Sequence, residues 1–353
     1  MTKDASFSKK LLHWYEFNKR DLPWRETADP YAIWLSEIIL QQTRIDQGMA
    51  YYIRFLDAYP SVNDFAKASE DEILKLWQGL GYYSRARNMH HTAREIVSQH
   101  QGRFPADYQS LLRLKGIGEY TAAAIASIAY NLPHAAVDGN VFRVLSRING
   151  IETPIDTGQG KKQFTALANE LLDPQQAGNF NQALMEFGAT LCTPKKPGCE
   201  SCPFNTSCVA LRNETTESLP VKKGKVKIRK RFFNYLIIND GSHTYLSKRT
   251  SNDIWKNLYE FPLTETSDKK ELHQTLVESQ LILPQNAKIE IEEETPWQKQ
   301  VLSHQHIFYR FIYLKIGGKI KLPSSAIKVN KKDIFNFAVP KPIEKELNRN
   351  NWL

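Results

Sequence analysis

Apolar positions over the first two hundred residues repeat with a helical period. Tyr31, Trp34, Leu35, Ile38 and Ile39 follow an i, i+3, i+4, i+7, i+8 stripe, and Ile73, Leu74, Leu76, Trp77 and Leu80 predict a shorter helix closed by Gly81. Pro60, Pro105, Pro133 and Pro154 punctuate the region as helix starts and breaks do. No strand alternation of useful length interrupts residues 8–212. From Phe232 the period changes. Phe232 to Ile238 reads as a strand, Asp240-Gly241 as a hairpin turn and His243 to Leu246 as the returning strand. Ile307 to Ile316 is a further aromatic and β-branched run closed by Gly317-Gly318, and Asp268 to Gln280 predicts one helix. Between the two regimes, Asn213 to Ser218 is polar, and Val221 to Arg231 carries seven Lys/Arg in eleven residues, as an interdomain linker would. The pattern predicts a mainly α region at 1–212, a basic linker at 213–231 and a smaller α+β domain at 232–353.

Length agrees, since 353 residues exceed what one compact core usually spans. Apolar residues at 41% and charged residues at 24% exclude a disordered or fibrous chain. No apolar run approaches the roughly 20 residues that span a bilayer, so no membrane partner is expected. Met1 to Lys10 is polar and carries no secretory h-region, so the expected setting is a reducing cytosol. The formal charge of 47 − 38 = +9 suits a polyanionic partner but carries no chemistry of its own.

Four features carry chemistry. All four cysteines fall in Cys192-x6-Cys199-x2-Cys202-x5-Cys208. Thiols so clustered point to one metal site rather than to disulfides, and zinc or an iron–sulfur cluster fits them equally. The second feature is Leu114-Lys115-Gly116-Ile117-Gly118-Glu119-Tyr120, which lies between helical stretches. Its glycines permit positive φ and close backbone approach, and a helix starting near Glu119 would offer free N–H groups to a phosphate; a plain interhelical turn fits as well. The third is Asp138 in Val137-Asp138-Gly139-Asn140-Val141, placed to cap a helix starting near Asn140. The last is Glu37, which lies on a helix apolar nearly all round. Burial there raises a carboxyl pKa, as a general acid near neutrality requires, unless an ion pair with Arg44 or Arg25 satisfies it.

Together, Leu22-Pro23-Trp24-Arg25, Trp34-Leu35-Ser36-Glu37, Gln41-Gln42-Thr43, Gly79-Leu80-Gly81-Tyr82-Tyr83, the glycine hairpin, Val137 to Val141 and the cysteine spacing resemble the MutY-type adenine DNA glycosylases, within the helix-hairpin-helix superfamily of endonuclease III. The resemblance implies a six-helix barrel at about 29–133, an iron–sulfur subdomain from 1–28 and 134–212 with its cluster loop at 192–208, and a Nudix or MutT-like C-terminal domain. It implies a 4Fe-4S cluster on Cys192, Cys199, Cys202 and Cys208, and makes the hairpin a candidate seat for a structural monovalent or Ca²⁺ ion. It also implies excision of adenine mispaired with 8-oxoguanine or guanine in duplex DNA, by a monomer in the bacterial cytosol at the nucleoid. Glu37 is then similar to the acid that protonates the adenine, Asp138 to the carboxylate that stabilises or captures the oxocarbenium sugar, and Asn140 to the residue that places the water. Arg25, Gln41 and Gln182 would lie by the extruded base. Gln42 and Tyr82 would wedge into the emptied stack, and Gly116, Gly118 and Tyr120 would meet a DNA phosphate. Bifunctional relatives place a Schiff-base lysine where this chain has Tyr120, and a phenol forms no imine, so a monofunctional hydrolase is expected.

In the C-terminal region, Trp255 to Pro262 is similar to the family's LWEFP-like segment, but residues 260–300 hold no Arg-Glu-x-x-Glu-Glu cluster for Mg²⁺. The nearest acidic run, Glu290 to Glu294, reads as strand or loop. The domain is therefore expected to recognise rather than hydrolyse. Leu302-Ser303-His304 matches a family loop whose Ser and His contact 8-oxoguanine, with Leu where Phe is usual. The alternatives are a related glycosylase acting on thymine or an oxidised pyrimidine, and a non-catalytic iron–sulfur DNA-binding module.

Overall fold

The structure, a computed structural model, describes residues 5–224, 228–277, 288–317, 325–350 and 352. The chain forms two compact units, Met1–Lys67 with Asn88–Gly224 and Ala68–Arg87 with Lys225–Leu353. No helix among the described residues is long and apolar enough to cross a membrane.

The first unit is helical. The apolar stripe forms the helix Pro30–Ile39, which starts where Asp29 accepts from the Tyr31 N–H and Pro30 fixes φ. Eight of its ten residues are buried, so it is covered on every side, as its composition requires. It packs on the helix Glu119–Tyr130, which in turn packs on Ala177–Thr190; that last helix also lies against Gly139–Asn149 and Ala5–Asn18. Leu11, Val141, Leu145, Phe164, Phe180 and Phe187 fill the core between them. Gly188 permits the closest approach, because a Cβ there would come within 2.7 Å of the Asn140 Cβ and 3.0 Å of its carbonyl oxygen. The start of Gly139–Asn149 is thereby pressed against Ala177–Thr190.

The second unit contains β1 (Arg229–Asn239), β2 (His243–Lys248), β3 (Tyr259–Glu260), β4 (Leu263–Thr266), β5 (Lys288–Glu294), β6 (Gln298–Val301), β7 (Gln305–Gly317) and β8 (Ala326–Asn330). One sheet runs β4-β1-β7-β5 with β6 also on β7, and the other runs β3-β2-β8. β1 and β7 pair in parallel from Arg229 opposite Gln305 to Asn239 opposite Lys315, and the other pairs are antiparallel. Covered on both faces, β1 and β7 read as continuous apolar runs rather than alternation. The helix Glu70–Leu76 belongs to this unit and starts on a capping box of Ser69 and Glu72.

Three expectations shift, and a fourth, left between strand and loop, is resolved. The helix expected to close at Gly81 ends at Leu76, and a turn carries the chain to Gly81, where φ is +74°. The basic run is not all linker. Arg229 to Arg231 open β1, where Arg231 is buried against Asp253 and Glu265, charges that let it enter a sheet. The helix expected from Asp268 starts at Leu272, since the Thr266 hydroxyl donates to the Asp268 carbonyl and holds the chain in its strand exit. It is described to Val277; residues 278–280 lie outside the described residues. Glu290 to Glu294 is strand, with a bulge between Ile291 and Glu293.

Candidate active site

The packing of Pro30–Ile39 on Glu119–Tyr130, and of both Glu119–Tyr130 and Gly139–Asn149 on Ala177–Thr190, opens one cleft lined by Arg20, Arg25, Glu37, Gln41, Gln42, Tyr120, Asp138, Asn140, Met185 and Glu186. Glu37 and Asp138, a hundred residues apart in sequence, therefore face the same space. Behind Glu37 lies a cavity of about 40 Å³, lined by Trp24, Arg25, Ile33, Ser36, Ile128, Gln182 and Met185 as well.

Glu37 accepts the Tyr120 hydroxyl proton at 2.6 Å. Burial pushes its carboxyl up to about 7; the Tyr120 bond opposes this and the Asp138 charge adds to it. The ion pair considered from sequence does not form. Arg25 is committed to Glu186 at 2.7 Å, and among the described residues no cation pairs with Glu37. Burial, with both carboxylates nearby, holds the Tyr120 phenol well above its usual range, so at neutral pH it is a donor. It also lies 3.1 Å from the Met185 sulfur.

Asp138 is the N-cap of Gly139–Asn149, and it caps while facing the cleft. Its Oδ1 accepts from the Asn140 and Val141 N–H groups at 2.9 and 2.8 Å, and its Oδ2 from the Asn140 amide at 2.8 Å. Burial raises the carboxyl above the ordinary range, opposed by these donors and by Arg143. Arg143, also buried, donates to the Asn140 amide oxygen at 2.8 Å, the Gly188 carbonyl at 2.7 Å and the Cys192 carbonyl at 2.8 Å. It thus fixes the orientation of the amide that holds Asp138.

In the same cleft Glu186 accepts from the Arg20 N–H at 3.1 Å, from the Arg20 guanidinium twice at 2.7 Å and from Arg25 at 2.7 Å. Burial alone would raise this carboxyl; the two guanidiniums hold it at about 2. Gln41 donates to the Thr121 hydroxyl at 3.3 Å. Gln42 is exposed with φ +58°.

The hairpin glycines divide their work. Gly116 has φ +79°, and a Cβ there would approach the Asn88 Cβ within 2.7 Å. Gly118 has φ −91°, so only one of the two expected positive-φ glycines exists; Gly118 is instead the N-cap of Glu119–Tyr130 with nothing within 4 Å of its Cβ position. That flank leaves the backbone N–H groups open to close approach.

In the second unit, Tyr82 is 46% exposed with φ +48°, and its hydroxyl hydrogen-bonds the Ser303 hydroxyl. Ser303 and His304 are exposed in the turn from β6 to β7, which the Leu302 N–H closes on the Gln305 carbonyl at 2.8 Å. Leu302 packs against the β core, so it supports this turn from inside.

Cys192, Cys199, Cys202 and Cys208 line a single cavity of about 20 Å³ with Arg147. Arg147 donates to the Cys192 sulfur at 3.5 Å and the Thr193 carbonyl at 2.7 Å, and the Phe204 N–H donates to the Cys202 sulfur at 3.4 Å. Burial pushes the Cys202 thiol up to about 11, to which the other three cysteines add. No group of three or more His, Cys, Asp or Glu among the described residues converges as on a single metal ion. Four sulfurs around one cavity, two of them receiving N–H donors, form a donor set that fits an iron–sulfur cluster.

Sequence reasoning passed over Tyr15, Arg20, Arg143, Met185 and Glu186. For Glu186 a signal existed, since it is a lone carboxylate in Ala183-Leu184-Met185-Glu186-Phe187, the same anomaly that singled out Glu37. Arg20 and Tyr15 carry no local signal, because their roles depend on helices that meet only in the fold.

Residues 35–174 match the HhH-GPD superfamily of base excision DNA repair proteins, and residues 234–349 match the NUDIX domain. The chain is thus a helix-hairpin-helix base-excision protein that carries a Nudix domain behind its catalytic region. It is 32% identical over 351 residues to an adenine DNA glycosylase of Buchnera aphidicola subsp. Acyrthosiphon pisum, covering 97% of this chain and 96% of that one. The solved structure of a thermostable thymine-DNA glycosylase is 32% identical with a TM-score of 0.56, covering 60% of this chain and 97% of its own. A trapped endonuclease III–DNA covalent intermediate shares the fold at 20% identity and a TM-score of 0.53. The chain belongs to the adenine DNA glycosylase family.

Proposed function

We propose that this enzyme hydrolyses the N-glycosidic bond of adenine mispaired with 8-oxoguanine, or with guanine, in duplex DNA, as a monofunctional glycosylase working as a monomer at DNA in the reducing cytosol. One observation carries the reading: two carboxyl groups open on the same cleft, one held by burial near neutrality and one capping a helix.

The adenine leaves the stack for the cleft. Glu37 gives its proton to a ring nitrogen, and the base departs with the bonding electron pair. The sugar is left as an oxocarbenium ion, which Asp138 stabilises or captures. Water then adds hydroxide to C1′ and releases a proton. Asn140, held by Arg143, places that water against Asp138. Tyr120 keeps Glu37 turned toward the base and, being a phenol, forms no imine, so no strand cleavage is coupled to release. Arg25, Gln41 and Gln182 receive the base, and Gln42 and Tyr82 fill the gap it leaves. The Gly116–Gly118 hairpin, with Tyr120 just behind it, seats a phosphate. Ser303 and His304 read the 8-oxoguanine. Cys192, Cys199, Cys202 and Cys208 would hold a 4Fe-4S cluster that staples this loop, and anaerobic purification is expected to yield about four irons per chain.

The test is single-turnover base release from duplexes holding adenine opposite 8-oxoguanine, guanine or cytosine, and thymine opposite guanine. Release of adenine, fastest opposite 8-oxoguanine, is expected. Likeness to the thymine-DNA glycosylase over the helical part makes thymine the second reading, and thymine release without adenine release would establish it. No release of either base would leave a binding module. Ser303→Ala and His304→Ala are expected to narrow the preference for 8-oxoguanine over guanine.

A further inference from the structure

Beside Glu37, two of the side chains that line the 40 Å³ cavity, Arg25 and Gln182, are anchored from behind by one residue of the N-terminal helix. Tyr15 is buried, and the Arg25 guanidinium carbon lies 5.5 Å from the centroid of its ring, within cation–π range. Its hydroxyl donates to the Gln182 amide oxygen at 3.0 Å. Arg25 is held in this place by Glu186 at 2.7 Å and the Arg20 carbonyl at 2.8 Å. Burial raises the Tyr15 phenol above its usual range, so the hydroxyl keeps its proton and remains a donor.

A primary amide has an acceptor at one end and two donors at the other, and turning it over exchanges them. In the structure Oε1 accepts from Tyr15, and in this orientation the NH₂ is the end of the Gln182 amide left to other partners. We propose that Tyr15 is a positioning residue that sets the polarity of the Gln182 amide and thereby selects which purine the pocket accepts. The pocket then asks for a base edge with an acceptor at that position. Adenine has an acceptor at N1 and a donor at its exocyclic nitrogen. Hypoxanthine has the same ring shape with these reversed, N1–H donating and O6 accepting. A fixed amide distinguishes the two and a freely turning one does not.

The inference rests on the reading that a purine is extruded into this cleft. The test uses the full-length protein in single-turnover release of adenine or hypoxanthine opposite 8-oxoguanine, with duplex affinity measured in parallel. Tyr15→Phe removes the hydroxyl and retains the ring over Arg25. It is expected to lower the adenine-to-hypoxanthine rate ratio about three- to tenfold, the worth of one buried hydrogen bond, with duplex affinity held within about twofold. Gln182→Leu removes the amide itself and should lower the ratio at least as far. Adding Tyr15→Phe to Gln182→Leu should change nothing more, because the hydroxyl acts only through the amide. An unchanged ratio in Tyr15→Phe, an unchanged ratio in Gln182→Leu, or additive effects in the double variant would each overturn the proposal. A wild-type protein that releases adenine while the variants keep its ratio refutes the Tyr15 role alone. A wild-type protein inert on adenine refutes the underlying reading.

Discussion

Glu37 and Glu186 both line one cleft, each a single carboxylate in an otherwise apolar helical segment, and they differ by about five pH units, near 7 against near 2. Burial pushes both upward. The difference lies in what each side chain meets: Glu37 meets a phenol and a second carboxylate, whereas Glu186 meets two guanidiniums and a backbone N–H. A carboxyl partnered by a neutral donor keeps its proton to give away. One partnered by cations is permanently charged and serves as an anchor. On the proposed function the cleft thus has a reactive wall and a scaffolding wall built from the same residue type, assigned by neighbours alone.

The comparison breaks most visibly at Glu37. Glu37→Gln is expected to slow base release by about 10²–10⁴-fold, the range for a general acid, with duplex affinity retained. The wild-type rate should fall as pH rises through about 7, where the acid loses its proton, and the variant should lack that limb. A limb that persists in the variant would assign the acid elsewhere. Asp138→Asn comes next, at about 10²–10³-fold, because it withdraws charge from the developing cation. If duplex affinity fell with the rate, the cap at the head of Gly139–Asn149 would be its main office.

Stability should move in opposite directions on the two walls. Glu186 is held below its ordinary 4.5, so its stabilisation is full above pH 4.5 and is lost as pH falls toward 2. Glu186→Gln should therefore cost about 2 kcal/mol in urea unfolding at pH 7, with the deficit shrinking below pH 4. Glu37 is raised from 4.5 to about 7, so its favourable protonated form is present below pH 4.5 and lost as pH climbs through 7. Glu37→Gln should leave stability unaltered at pH 4 and raise it by about 1 kcal/mol at pH 8, as removal of a functional strain does. Destabilisation by both variants at pH 8 would erase the distinction.

Much of this was legible without coordinates because the relevant signals are local. The stripe on Pro30–Ile39, the single carboxylate in it, the cap at Asp138 and the four clustered cysteines all lie within a turn or two of chain. The pairing of Glu37 with Asp138 was legible only through resemblance, since no local pattern says that two segments a hundred residues apart share a cleft. The scaffolding wall was illegible for a physical reason. Arg20 and Tyr15 carry no local signal, and Arg25 gives no sign that Glu186 is its partner, until Ala5–Asn18 packs on Ala177–Thr190 and the fold brings them to Glu186 and Gln182. The β unit shows the same limit. Its strands announce themselves by composition, but Arg231 reads as linker charge until Asp253 and Glu265 close on it.

Within the scaffolding wall the two guanidiniums are not equivalent, and the difference between them gives the finest test. The Arg20 side chain is 40% exposed and makes two of the four bonds to Glu186, while the backbone N–H of the same residue makes a third that substitution leaves in place. The Arg25 side chain is 11% exposed, lines the cavity beside Glu37 and lies over Tyr15. Arg20→Ala should therefore cost only about 1 kcal/mol, discounted for solvent around the pair, and leave adenine release within about threefold. Arg25→Ala should cost base release considerably more than its stability deficit explains, because it removes the group that Glu186 anchors rather than a second support for the anchor. Equal losses of release in the two variants would mean that Glu186 works through the net charge of the wall and not through the placement of Arg25.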